Sequence, residues 1–189
     1  MNTAIVFVSY LKVPEQRLQD HFRWNGHLYE NFVAENCSPE ETRLRVYVVS
    51  DTDHELPSYA ECVIYPMDRL PLVDGRRRFS LTRTKNAGIQ KAINDGADVV
   101  VATDVDIAFD LFSLGYVAGS LDHTMATIPV YRMAPSFEGR KVGRLDRGCT
   151  GTVGMTARNW RRIPYEERCV GYGADDGILL RDIQRAGLA

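Results

Sequence analysis

Residues Ala97–Phe109 read ADVVVATDVDIAF, and this stretch decides the fold. Val99, Val100, Val101 and Ala102 form a short unbroken apolar run, as expected of a strand covered on both faces in a parallel sheet. Thr103-Asp104-Val105-Asp106 follows at once. An ionised carboxylate is costly to bury unless it is paired, hydrogen-bonded or bound to a cation. Asp104 and Asp106 therefore belong to the strand's exit and not to the core. In an open α/β sheet that exit is where ligands bind, and a divalent cation with a phosphate group is a natural partner for two acids there. An isolated D-x-D at a strand end is more often a pair of solvated acids, so the functional reading depends on what surrounds it.

Upstream, Thr3–Tyr10 reads as a first buried strand, followed by a helix over about Glu15–Glu35. Pro14 suits its first turn, Leu18, Phe22, Leu28 and Phe32 form its apolar stripe, and Gly26 is a point of interruption. Leu44–Val49 predicts a second strand ending in Ser50-Asp51-Thr52-Asp53, and Ala60–Tyr65 a shorter third. Pro66–Arg78 reads as a Pro- and Arg-rich loop, and a helix runs from about Ser80 to Asn94 with Gly96 as its C-terminal cap. Downstream, Asp110–Leu121 suggests a short helix and Ala126–Tyr131 a strand. Ala134–Cys149 is a long basic connection of the kind that is functional or mobile. Thr152–Met155 reads as a strand, Thr156 as the cap of a helix over Ala157–Ile163, and Asp175-Asp176 opens a last helix to Ala186. The alternation predicts an α/β fold: a mainly parallel nucleotide-binding sheet flanked by helices with right-handed crossovers. It is read as one domain over 1–189, with a nucleotide-binding half to about 107 and a second half from about 108.

The totals exclude several classes. With 189 residues, 44% hydrophobic and 25% charged, the chain has ordinary globular composition. A net charge of −2 gives no general drive towards nucleic acid or an anionic membrane, although Arg76–Arg78 and Arg140–Arg147 are locally basic. No segment approaches the roughly 20 apolar residues of a membrane span. Cys37, Cys62, Cys149 and Cys169 are far apart, which argues against a zinc site or a disulfide framework and suits a cytoplasmic location. His21, His27, His54 and His123 lack metal-ligand spacing and read as surface or structural residues. No G-x-G-x-x-G or G-x-x-x-x-G-K-[ST] follows any strand, which counts against dinucleotides and P-loop chemistry. What remains is a fold that holds a diphosphate through a metal. Oxygen ligands suit Mg2+ or Mn2+ better than zinc.

Three segments are informative together: Phe79-x6-Asn86-x-Gly88 leading into the D-V-D strand, Gly148–Met155 followed by Trp160, and Gly171-Tyr172-Gly173-Ala174-Asp175-Asp176. Their order and spacing resemble the GT-A type glycosyltransferases, the nucleotide-diphospho-sugar transferase fold. The likeness is greatest to the inverting galactosyltransferases, which carry F-x6-N-x-G, a D-V-D strand and a G-W-G-x-E-D helix start. Val48–Asp53, VVSDTD, also looks like the strand-2 segment of the broad inverting synthases. The resemblance implies metal-dependent transfer of a sugar from a nucleoside-diphosphate sugar, UDP favoured, to a saccharide or other hydroxyl acceptor. It implies that Asp106 and Asp104 hold Mn2+ or Mg2+ on the donor diphosphate, Asp104 also contacting ribose. Ser9, Asp51, Phe79 and Arg83 fall at donor-binding positions. Asp176 takes the place of the base that accepts the acceptor's proton, Asp175 that of its partner acid, and Tyr172 that of the aromatic stacked on the acceptor. Trp160 is as readily an anchor for its helix as an acceptor contact.

The chain departs from that pattern in places. Strand 1 exits through Ser9-Tyr10-Leu11-Lys12 where the galactosyltransferases have P-F-R-N-R, and Leu81 stands where they have an arginine, with Arg78 and Arg83 as replacements. No histidine follows Asp176, so the family's downstream metal-binding histidine has no counterpart. Sugar transfer to a modified base in DNA is a less favoured variant. A nucleotidyltransferase would want a glycine-rich loop after strand 1, and a non-catalytic sugar-nucleotide-binding module would have no need of both acid pairs.

Overall fold

A computed structural model describes residues 1–10, 15–35, 44–109, 114–115, 126–127, 131–132, 145–146, 151–171 and 175–188. The central sheet contains β1 (Thr3–Val8), β2 (Leu44–Ser50), β3 (Ala60–Ile64), β6 (Val99–Ala102), β7 (Ala126–Thr127) and β10 (Val153–Thr156), in the order β3-β2-β1-β6-β10-β7. β3, β2, β1 and β6 run parallel, and β10 runs antiparallel between β6 and β7. β4 (Leu72–Val73) and β5 (Arg76–Arg77) form a small hairpin, and β8 (Tyr131–Arg132) pairs with β9 (Leu145–Asp146). The helices are α1 (Glu15–Glu35), α2 (Leu81–Asn94), α3 (Ala157–Arg162) and α4 (Asp175–Arg185). Among the described residues no helix is long and apolar enough to cross a membrane.

The unbroken apolar strands follow from burial on both faces. Ile5 and Phe7 of β1, Val46 and Val48 of β2, and Val99 and Val101 of β6 cluster with Leu18, Leu28 and Tyr29 of α1. Their alternate neighbours, Val6, Val49, Val100 and Ala102 among them, cluster with Ile89, Ala92 and Ile93 of α2, Trp160 of α3, and Leu179 and Ile183 of α4. With side chains alternating along a strand, each strand feeds both layers. The chain leaves β1 through α1 to β2 on one side and later returns through α2 to β6 on the other. That reversal puts the switch point of the sheet between β1 and β6, and in such sheets ligands bind beyond the C-terminal ends of the strands there.

Gly88 sets how closely α2 lies on the sheet. A Cβ there would fall 2.5 Å from Val49 Cγ2 and 2.6 Å from Val6 Cγ1, distances that force the helix off β1 and β2. Gly88→Ala is expected to lower stability by about 1–3 kcal/mol through overpacking, measured as a drop in the urea midpoint at constant slope.

Several expectations need correction. Gly26 does not interrupt α1, which runs on through it with Tyr59 packed close by. Pro66–Arg78 is not simply a loop: Asp74 and Gly75, both at positive φ (49° and 71°), turn the β4–β5 hairpin, the type I′ geometry that Asp-Gly favours. Of the strand expected over Ala126–Tyr131, Ala126–Thr127 joins the central sheet as β7 and Tyr131 pairs with β9, while 128–130 lie outside the described residues. Gly96 does close α2, at φ 91°, and Thr156 caps α3 by accepting from Asn159 N. Pro14, most of the predicted 110–121 helix and most of the 134–149 connection lie outside the described residues.

Candidate active site

Asp51 follows β2 directly, and Asp104 and Asp106 lie just past β6. Because β2 and β6 are both parallel to β1, all three acids share one edge of the sheet. The antiparallel β10 brings its beginning to the same edge: Thr103 and Thr152 share a hydrogen bond of 2.7 Å between hydroxyls. Gly151 lies against Asp104, where an added Cβ would come within 2.9 Å of Oδ2. Asp104 and Asp106 differ in setting. Asp106 is exposed, whereas Asp104 Oδ1 accepts from Lys85 Nζ at 2.8 Å.

Lys85 is the main residue that the sequence reading missed. Its side chain is 1% exposed, and Nζ stands 5.3 Å from the centre of the Tyr165 ring. Burial disfavours the ammonium, but the Tyr165 oxygen and the Asp104 carboxylate outweigh it and raise the lysine's pKa. Burial also raises the pKa of the Tyr165 phenol, which stays neutral near pH 7, so the working counter-charge is Asp104. Lys85 also acts on Asp176. Burial pushes Asp176 up to about 6, the Lys85 charge opposes that, and Asp175 and Asp104 add to it. Asp175 is buried, and its Oδ2, Asp176 Oδ1 and the Tyr165 hydroxyl have no hydrogen-bond partner among the described residues. Buried polar atoms without partners are uncommon in finished cores. Here Tyr165 and Asp176 interact electrostatically with Lys85 and Asp104, and Asp175 with both of them, so a polar ligand would satisfy them.

The N-terminal part of α2 carries this arrangement. Ser80 accepts from Arg83 N as the helix cap, and its hydroxyl and that of Thr82 donate to Cys169 O at 2.9 and 3.2 Å. Gly171 N donates to Phe79 O at 2.7 Å. Asn86 closes a two-bond clasp on Tyr165, donating to its carbonyl at 2.9 Å and accepting from its N–H at 3.0 Å. These bonds tie the segment from Tyr165 to Gly171, which precedes α4 and its acids, onto the N-terminal part of α2. Arg83 belongs to the same seam, donating to Glu167 O at 3.2 Å.

At the β1 exit, Ser9 is buried with its N–H on Val49 O, and Tyr10 stacks on Phe79 with ring centres 5.4 Å apart. Tyr10 donates to Tyr65 O at 2.7 Å, and burial together with the Asp51 charge pushes its pKa up to about 12. Asp51, Tyr10 and Phe79 thus form one group at the exits of β1 and β2. Trp160 has the geometry of the anchor and not of an acceptor contact: it is 2% exposed, donates to Val100 O at 2.8 Å and stacks on Tyr165. Tyr172 and most of the basic 140–147 stretch lie outside the described residues.

A cation fits the chemistry of this donor set in one way. No three acid, histidine or cysteine side chains converge among the described residues. Two carboxylates would therefore need oxygens from elsewhere, and Mg2+-type ions commonly bind through one or two carboxylates plus substrate phosphates and water.

No family model matches the chain, and no curated protein matches it in sequence. Solved structures do match. A Drosophila β1,4-galactosyltransferase 7 variant, in complex with manganese, UDP-galactose and xylobiose, is 12% identical with a TM-score of 0.60. That match covers 100% of this chain and 63% of the galactosyltransferase, so the chain spans under two thirds of that protein's length. Staphylococcus aureus TarS, residues 1–349 with UDP-GlcNAc, is 12% identical with a TM-score of 0.53, covering 95% of this chain and 52% of the other. A Desulfovibrio desulfuricans G20 protein ascribed to the nucleotide-diphospho-sugar transferases is 18% identical with a TM-score of 0.50, covering 97% and 76%. The chain has the nucleotide-diphospho-sugar transferase, or GT-A, fold.

Proposed function

We propose that this chain is a glycosyltransferase that moves a sugar from a nucleoside-diphosphate sugar to a hydroxyl acceptor, with inversion at the anomeric carbon. The observation that carries the reading is the buried group at the sheet's C-terminal edge: Lys85 on Asp104, with Asp176, Asp175 and Tyr165 offering unpartnered oxygens beside it. Three buried oxygens without a partner among the described residues, beside an ion pair whose lysine is buried, are what a polar ligand would satisfy.

In this reading Asp106, exposed, and Asp104 hold Mn2+ or Mg2+ against the donor diphosphate. When bound, the cation supplies charge stabilisation to the leaving diphosphate. Asp104 keeps one oxygen on Lys85, which fixes its orientation and leaves the other for cation or ribose. Asp51, with Tyr10 and Phe79, receives the nucleobase, and UDP is favoured because structures of this fold have been solved with UDP-sugars. Asp176 takes the proton of the attacking hydroxyl. A carboxylate held near pKa 6 is a stronger base than an ordinary one yet still ionised at neutral pH. Asp175, at the start of α4, binds acceptor hydroxyls with its free oxygen. Arg83, held on Glu167 O, keeps the acceptor half in place more than it touches the donor.

The test is incubation of the chain with a panel of sugar nucleotides, Mn2+ and simple saccharides, read by mass spectrometry. The expected result is a hexose-sized mass gain on the acceptor with release of a nucleoside diphosphate. Release of a sugar 1-phosphate, with the nucleotidyl group left on the acceptor, would instead mark nucleotidyl transfer, and no turnover with tight binding would mark a binding module. Asp175→Asn is expected to raise the acceptor KM with a milder loss of kcat than Asp176→Asn, measured by initial rates over acceptor concentration.

A further inference from the structure

The face of α1 turned to the sheet carries three fully buried polar side chains, His21, Asn25 and Tyr29, one turn apart. Buried polar groups are expensive unless each finds a partner, and two of these find theirs on the loop that holds the D-x-D acids. His21 Nδ1 donates to Val105 O at 2.9 Å, the carbonyl between Asp104 and Asp106. A carbonyl only accepts, so Nδ1 carries the proton and Nε2 accepts from the Tyr29 hydroxyl at 3.0 Å. Asn25 donates to Ile107 O at 2.9 Å and accepts from Phe109 N at 2.8 Å. The His21 ring packs on Phe7 of β1, centres 4.0 Å apart, which fixes the helix face to the strand.

We propose that His21 and Asn25 are positioning residues of the donor site, holding the Val105–Phe109 backbone so that the Asp104 and Asp106 carboxylates face the same cation. The role rests on the reading of those two acids as the cation site. A loop that follows a four-residue strand has few contacts of its own, and three hydrogen bonds from a buried helix face replace the solvent that would otherwise compete for its backbone. Asn25 pairs both a donor and an acceptor with the loop, as a neighbouring strand would. Burial pushes His21 down to about 4, with the Val105 bond opposing, so the ring stays neutral and its bond pattern fixed through the working pH range.

The experiment uses the full chain and two readouts: hydrogen exchange over 105–109, and calorimetric UDP affinity with and without Mn2+. Asn25→Leu should deprotect the Phe109 amide and weaken Mn2+-dependent UDP binding about tenfold, the size expected for groups that orient metal ligands. UDP binding without Mn2+ should change less than about twofold. His21→Asn, whose amide N–H reproduces the donor to Val105 O, should restore most of the affinity that His21→Leu loses. That pair carries the test if Asn25→Leu does not fold. A deprotected Phe109 amide with unchanged Mn2+-dependent affinity would overturn the positioning role, as would equal losses with and without Mn2+. Should the wild-type chain bind no UDP with Mn2+, the cation-site reading itself fails, and the positioning role falls with it.

Discussion

Asp176→Asn is expected to lose sugar transfer by about 10²–10⁴-fold, the range for removing a positioned general base, while keeping donor affinity. It should also make the protein more stable at neutral pH. Asp176 has a folded-state pKa near 6, raised from 3.8 mainly by burial, so between those values the folded chain binds more protons than the unfolded chain. Stability then falls as pH rises from about 4 to about 6, and the penalty is complete above that window. Asparagine carries no such penalty. The side chain is partly open to solvent, so the gain is discounted to about 1–2 kcal/mol at pH 7.5. Melting curves of the two proteins should converge towards pH 4 and separate above pH 6, and the wild-type rate should rise with pH through about 6. A pH-independent difference in melting temperature would contradict the raised pKa, and near-normal transfer by Asp176→Asn would exclude this acid as the base.

The second large effect separates the two D-x-D acids. Asp104→Asn deprives the Lys85 ammonium, which is 1% exposed, of its hydrogen-bonded counter-charge. Breaking a buried pair in that way costs about 3–5 kcal/mol. Lys85→Met should cost less, because the Asp104 side chain is 37% exposed and can hydrate. The double variant, Asp104→Asn with Lys85→Met, should recover most of the stability, as expected for partners in one interaction. Asp106→Asn, an exposed position, should stay within about 0.5 kcal/mol of wild type and still lose cation-dependent donor binding. Denaturant titration of the four proteins measures the first set of differences. Equal destabilisation by Asp104→Asn and Asp106→Asn would mean that the Lys85 pair does not hold in solution.

The parallel half of the fold was legible because its strands are buried on both faces, which leaves runs such as Val99–Ala102 with no polar alternation to confuse. The acids at their ends stood out as charges that such strands cannot bury. Helix interiors were harder. In α2 the stripe Ile89, Ala92 and Ile93 continues backwards to Lys85 at i−4 of Ile89, so helical spacing alone puts the lysine inward. In α1 the apolar stripe was drawn through Leu18, Phe22 and Leu28, and the same geometry passes through His21 and Asn25, whose polarity hid them. Buried polar residues break the apolar pattern by which faces are recognised, and their partners are backbone groups far off in sequence. The Asp74–Gly75 hairpin was missed for another reason: its strands are two residues long and carry arginines, so the turn dipeptide had no alternating flanks. The sequence left Trp160 open between an anchor and an acceptor contact, and the bond from its N–H to Val100 O supplies the anchor.

Calorimetric titration of UDP into the full chain, with and without Mn2+, tests most directly whether this edge of the sheet is a cation-assisted donor site. Wild type should bind with Mn2+ and much more weakly without it, and Asp106→Asn should behave with Mn2+ as wild type does without. Equal affinity in the presence and absence of Mn2+, or an Asp106→Asn protein that still responds to the cation, would contradict the account.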